Sequence, residues 1–174
     1  MNTELLSVVD ENDHVIKTLS RDEVHASGFR HRAVHILVFN QLGELFLQKR
    51  SMKKDLNKGL WDTSAAGHVD VGEGYTVSAI RETEEELGIS IGDTLQALYK
   101  LSPTKKTGME FIQVYQCVHN GPFILNAEEI DEGVWISVNE ISKRVEDDDP
   151  TLTETFKVIW FQYLATNNNP DKRK

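Results

Sequence analysis

Between Gly67 and Ile89 the chain reads GHVDVGEGYTVSAIRETEEELGI, and the acids in it are spaced for chemistry. Gly67 is followed after five residues by Glu73, after seven more by Arg81-Glu82, and then by Glu85-Glu86 and Gly88. Periodicity from about Tyr75 to Leu87 predicts a helix, with Val77, Ala79, Ile80 and Leu87 on or near its apolar face and Gly88 as its stop. On such a helix Glu82, Glu85 and Glu86 fall at i, i+3 and i+4 and project from one side. Like charges so placed repel by roughly 0.2–0.5 kcal/mol per pair, and the helix dipole disfavours anions toward the C-terminus. The ladder therefore asks for a cation. Carboxylate oxygens suit a hard ion, Mg2+ or Mn2+, which keeps several waters and completes its shell with substrate phosphates. A glycine-rich loop leading into this helix suits a diphosphate. The competing reading is a solvated, glutamate-rich face on which Arg81 and Glu85 form an ordinary i, i+4 pair.

The positions Gly67, Glu73, Arg81, Glu82, Glu85, Glu86, Gly88 and Ile89 match, one by one, the signature of the Nudix hydrolases, which the chain resembles. The one departure is Thr83, where the signature prefers an apolar residue. The resemblance implies an α/β fold (α+β), an α/β/α sandwich around a mixed sheet. It also implies a pyrophosphohydrolase dependent on Mg2+ or Mn2+, in which water attacks a diphosphate linkage, most readily that of a nucleoside diphosphate derivative. Glu82, Glu85 and Glu86 then hold metal, Glu82 or Glu110 is the general base, and Arg81 pairs with Glu73 to orient the cluster. Gly67 and His68 lie against the substrate, as do Arg50 and Lys49 of a basic patch that also contains Lys53, Lys54 and Lys58; plain surface solubility is the other role for that patch.

The Nudix resemblance covers roughly Ser7 to Tyr163, and a second layer of resemblance narrows the family. The runs His31-Arg32-Ala33-Val34-His35 and Trp61-Asp62-Thr63-Ser64-Ala65-Ala66-Gly67-His68, with Glu110 before a strand, are similar to the Nudix branch that contains type I isopentenyl diphosphate isomerase. In that isomerase a catalytic cysteine precedes the signature glycine, and histidines and glutamates hold a metal. Carried over, His31, His68 and Glu110 match metal-site positions and His25 matches approximately, while Ala66 stands at the cysteine position and Gly108 at that of a further glutamate. The isomerase lacks the full glutamate set of Glu82, Glu85 and Glu86. The frame is thus isomerase-like and the chemistry hydrolytic. An isomerase-like enzyme and a non-catalytic diphosphate-binding domain are the alternatives. His35 reads as core. Trp61, Phe111 and Tyr115 are aromatic enough to stack on a base but read more simply as core.

The elements that position these groups are legible as short runs. Leu5 to Val9 and Val15 to Leu19 flank a polar turn and predict an N-terminal β-hairpin. Ser20 and Glu23 form a capping-box pattern for a short helix that Gly28 ends. His31 to Phe39 and Glu44 to Arg50 read as a strand pair, and Trp61 to Ala66 as a buried strand delivering Gly67. Leu95 to Leu101, Phe111 to Val118 and Glu132 to Ser137 read as strands, Val138 to Arg144 as a short helix, and Thr151 to Leu164 as a closing amphipathic helix carrying Phe156, Ile159, Trp160 and Tyr163.

At 174 residues and 39% hydrophobic the chain is long enough for one cored domain, expected over residues 1–165, with a flexible polar tail at 166–174. A net charge of −9 argues against a nucleic-acid polymer as partner and leaves a small-molecule diphosphate. Cys117 is the only cysteine, and no signal peptide or membrane-spanning run is evident, so a cytoplasmic monomer or homodimer without a membrane partner is expected.

Overall fold

The computed structural model describes residues 4–168. Strand β1 (Leu5–Val9) and strand β2 (Val15–Ser20) form the antiparallel hairpin, closed by Asp10, whose Oδ1 accepts from the backbone of Asn12 and His14. Helix α1 (Arg21–Ser27) starts at the Ser20–Glu23 capping box and stops where Gly28 enters the left-handed region at φ +64°. Leu6, Val8 and Val24 pack there as a small core of their own.

The chain continues through β3 (His31–Phe39), β4 (Leu45–Arg50), β5 (Trp61–Asp62), β6 (Ala65–His68), α2 (Tyr75–Leu87), β7 (Gln96–Leu101), β8 (Glu110–Val118), β9 (Ile130–Ile136), α3 (Val138–Glu146) and α4 (Glu154–Asn167). Among the described residues β3 to β9 form one mixed sheet, ordered β5-β4-β3-β8-β7, with β6 added to β3 and β9 to β4. Only β3 and β8 run parallel, in register from His31↔Glu110 to Phe39↔Val118. Strand β3 is buried on both faces, and its alternation feeds two cores. Ala33, Leu37 and Phe39 pack with Phe156, Ile159 and Trp160 of α4, whereas Val34, Ile36 and Val38 pack with Ala79 and Leu87 of α2. The result is the α/β/α sandwich.

Three expectations need correction. Strands β3 and β4 meet only at Phe39↔Leu45 and then diverge, because β6 takes the place beside β3 from Ala33↔His68 to Ile36↔Ala65. The run from Trp61 to Ala66 is two short strands, broken where Ser64 Oγ donates to Phe46 O and accepts from Val38 N in place of a ladder bond. Val77 is 58% exposed, and Ser78 is buried beside Ala79 instead. As for the polar tail, positions 166 and 167 continue α4, and 169–174 lie outside the described residues.

One ionic knot fastens the hairpin to the sandwich. Asp13, in the hairpin turn at φ +66°, accepts from Arg32 Nε (2.7 Å), from the Tyr75 hydroxyl (2.8 Å) and from Lys100 Nζ, so one carboxylate ties the turn to β3, α2 and β7. Hydrogen bonds to a charged group are worth about 1.5–3 kcal/mol. Asp13→Asn, which tolerates the same backbone, is expected to lower the unfolding free energy by about 1–3 kcal/mol and to speed amide exchange in β1 and β2. Stability within error of the parent, by urea titration, would show that the Asp13 carboxylate does not hold the hairpin to the sandwich.

Candidate active site around the α2 glutamates

A cavity of about 750 Å3 is lined by β3 (Ala33, His35), the end of β4 (Arg50), β6 (Ala66, Gly67, His68), α2 (Arg81, Glu82, Glu85, Glu86) and Glu110 of β8. Helix α2 comes close to β6 because Gly67 has no side chain. A Cβ there would lie 2.1 Å from Glu82 Cδ, so alanine would drive the Glu82 carboxylate away. Thr83, the departure from the signature, is fully buried and returns its hydroxyl hydrogen to Ala79 O (2.7 Å), which lets a polar residue stand on an apolar face.

Arg81 organises the acids. Its Nε and Nη2 donate to Glu73 at 3.1–3.2 Å, Nη2 also donates to His68 O (3.2 Å), and Nη1 donates to Glu82 (2.8 Å) and Glu85 (3.3 Å). Glu73 also accepts from Ser78 Oγ, at 2.5 Å. Glu86 is 4% exposed and accepts from Gln48 Nε2 (2.8 Å) and from the Ala66 amide (3.2 Å). Burial pushes Glu82 up to about 7 against the pull of Arg81, and burial followed by the charge of Glu82 pushes Glu86 up to about 8. Three carboxylates of α2 thus line the cavity with one guanidinium bonded to two of them, an all-oxygen set of the kind a hard divalent cation takes.

A second group sits beside them. Parallel register sets His31 opposite Glu110, antiparallel register sets Ala33 opposite His68, and α1 adds His25. Ligand atoms of His25, His31 and His68 all lie within 4.8 Å of one another. Glu110 Oε1 is 3.5 Å from His31 Nε2 and 3.4 Å from His68 Nε2. Phe29 O, 2.8 Å from His31 Nδ1, accepts the hydrogen of that nitrogen, and no group is hydrogen-bonded to Nε2. Among the described residues it is the one buried side-chain nitrogen or oxygen without a hydrogen-bond partner. Burial, with the neighbouring His68 and His31 charges, lowers His25 to about 4. Burial would lower His68 as well, but its bonds to Glu110 and Glu4 outweigh it and raise the ring to about 9. For Glu110 burial acts upward, and His31 and His68 hold it well below the usual carboxylate range. Three imidazoles and a carboxylate around an orphaned nitrogen fit a borderline transition metal.

Arg50 lines the cavity as expected, but Lys49 does not: β4 alternates, so Lys49 turns to the other face and pairs with Glu132 at 2.9 Å. Lys53 is likewise paired outside with Glu128, and Lys54 reaches the cavity bonded to Glu129. Trp61, Phe111 and Tyr115 are core, and none lines the cavity. Sequence reasoning passed over Gln48, Asp62, Lys105 and Lys106. The two lysines carried a signal, being adjacent cations in a polar loop; both line the cavity, and neither has an ion-pair partner among the described residues. No helix among the described residues is long and apolar enough to cross a membrane.

The NUDIX domain family matches residues 29–156. An uncharacterized Nudix hydrolase of Yersinia pestis is 36% identical, covering 98% of this chain and 91% of its own. The uncharacterized Nudix hydrolase YfcD of Escherichia coli K12 is 32% identical, covering 95% and 91%. The crystal structure of DR0079 from Deinococcus radiodurans superposes with a TM-score of 0.82 at 26% identity, over 91% of this chain and 98% of that one.

The buried acids make stability depend on pH in a set direction. Glu86 titrates near 8 when folded and near 4.5 when unfolded, so its favourable contribution is complete below about pH 4.5 and is lost as pH rises through 8. In metal-free buffer, Glu86→Gln is expected to leave the thermal midpoint unchanged near pH 4.5 and to raise it by roughly 5 °C at pH 8.5. Equal shifts at both pH values would mean that Glu86 carries no raised pKa.

Proposed function

Because this chain belongs to the Nudix family of hydrolases, which generally cleave nucleoside diphosphate derivatives, we propose that it hydrolyses the phosphoric anhydride of an organic diphosphate at the α2 cavity. The observation that carries this reading is the convergence of Glu82, Glu85 and Glu86 on one cavity with a single guanidinium among them. These three residues would hold Mg2+ or Mn2+, which supplies charge neutralisation at the phosphoryl oxygens and a lowered pKa for bound water. Arg81, tied back to Glu73 and to His68 O, keeps the carboxylates in position. Glu82 and Glu110 both line the cavity and are the candidate acceptors for the proton of the attacking water. Glu110, 3.5 Å from His31 and 3.4 Å from His68, would also hold a metal with the histidines. Arg50, Lys105 and Lys106 offer cationic contacts to the phosphates. The products are a monophosphate and a second phosphate-bearing fragment, or orthophosphate when the terminal group is removed. Residues 1–165 are the unit to which this activity is assigned.

The cluster of His25, His31, His68 and Glu110 supports the isomerase-like frame and a second, nitrogen-rich metal site. Isomerisation itself is disfavoured, because Ala66 offers no proton at the place of the catalytic cysteine. A binding-only role is disfavoured by the intact glutamate set.

Phosphate and monophosphate release from a panel of nucleoside diphosphate derivatives is expected with Mg2+ or Mn2+ and is expected to cease with EDTA. Glu85→Gln and Glu86→Gln should each lower kcat by about 100-fold or more; near-parental turnover in both would sink the metal assignment. Separately, elemental analysis of the purified protein should find a transition metal that His31→Ala loses without loss of fold. An equal metal content in the two proteins would remove the histidine cluster from the metal assignment.

A further inference from the structure

The inner wall of the cavity contains two polar residues that neither the acidic cluster nor the histidine cluster uses. His35 is 5% exposed and Asp62 4% exposed, and both line the cavity. The tautomer of His35 follows from its partner. Thr63 Oγ1, 2.8 Å from His35 Nδ1, has Ala65 O at 3.3 Å to take its own hydrogen, and the Asp62 carboxylate 3.8 Å from the same ring nitrogen favours a hydrogen there. The imidazole hydrogen therefore lies on Nδ1, and Nε2, which has no protein partner, is a lone pair. Asp62 Oδ1 accepts from the Thr63 amide (2.8 Å) and stands 3.8 Å from the same His35 Nδ1, so the carboxylate is set beside the ring and keeps acceptor capacity to spare. Both residues share the cavity with Glu82, Glu85 and Glu86, so two hydrogen-bond acceptors line the space in which the hydrolase reading places the diphosphate.

The rest of the lining offers little to a hydrocarbon. Its apolar side chains are Ala33, Leu56 and Ala66, and apart from imidazole it contains no aromatic ring. Both acceptors open on the cavity, where hydroxyl groups of a ligand can donate to them in place of water.

Building on the hydrolase reading, we propose that His35 and Asp62 accept hydrogen bonds from hydroxyl groups on the organic half of the substrate, which is therefore a diphosphate of a polyhydroxylated compound and not of a hydrocarbon chain. Ribose hydroxyls of a nucleoside and hydroxyls of a sugar or polyol share this chemistry.

The test uses matched substrates with the full-length protein: a nucleoside diphosphate sugar, the same compound lacking both ribose hydroxyls, the same compound with a deoxygenated hexose, and isopentenyl diphosphate. In the parent, removing the hydroxyls that are read should lower kcat/KM by about 100-fold, and which of the two deoxy compounds suffers identifies ribose or sugar as their source. In His35→Phe, and in Asp62→Asn should the first variant fail to fold, the intact and deoxy compounds should come within about three-fold of each other. Equal kcat/KM for intact and deoxy compounds in the parent, discrimination retained in a folded variant, or isopentenyl diphosphate matching the sugar compound would each overturn the proposal. If no compound is cleaved, the hydrolase reading fails, and calorimetric binding of the same compounds decides the recognition claim: weaker binding of one deoxy compound supports it, and equal binding or none overturns it.

Discussion

A single guanidinium stands among acids that would otherwise repel one another. Arg81 bonds to Glu73, Glu82 and Glu85 and to the backbone of His68, and through these contacts it joins α2, the loop before it and β6 into one wall. Removing such a charge from a partly buried cluster leaves carboxylates both desolvated and unpaired, the most expensive condition for a polar group inside a protein. Other local features answer to the same constraint. Gly67 lets the wall close, Gln48 and the Ala66 amide serve the acid that Arg81 does not reach, and Thr83 lets the helix face sit flush.

Such a wall needs a rigid backing, and β3 supplies it. Apolar on both faces, it joins the α2 core to the α4 core and sets the register of β6 and β8, the strands that bring Gly67, His68 and Glu110. Its divergence from β4 is part of the design of the cleft. Had the two strands paired along their length, β6 would have no place beside β3, and Gly67 and His68 would not reach α2 and Glu110.

Much of this was legible in the residues because the decisive relations were local. The Ser20–Glu23 box, the α2 periodicity and the Gly88 stop all lie within a few turns of chain, where spacing translates directly into geometry, and the Arg81–Glu73 pairing follows from the family resemblance. The misjudged features depend on distant partners. Gln48 serves Glu86 from 38 residues away, and nothing around it marks it out. Trp61 to Ala66 reads as one strand because the serine that interrupts it finds its partners on β3 and β4. Lys49 and Arg50 look alike in sequence, and only the sheet decides which of the two faces the cavity. His35 is as buried as a core residue should be, and it becomes something else only because a cavity opens against it.

The parallel pairing of β3 with β8 has a consequence for how the molecule comes together. His31 and Glu110 become neighbours only when two strands separated by nearly half the chain have found each other in register. Closing so long a loop costs entropy before any contact rewards it, and parallel pairing is slow for that reason. The hairpin, α1 and α2 are local and can form early, but the cluster of histidines and glutamate has no counterpart in a partly folded chain. A nascent or partly unfolded molecule therefore presents scattered imidazoles to the metals around it, and the assembled cluster is the mark of a chain that has finished folding.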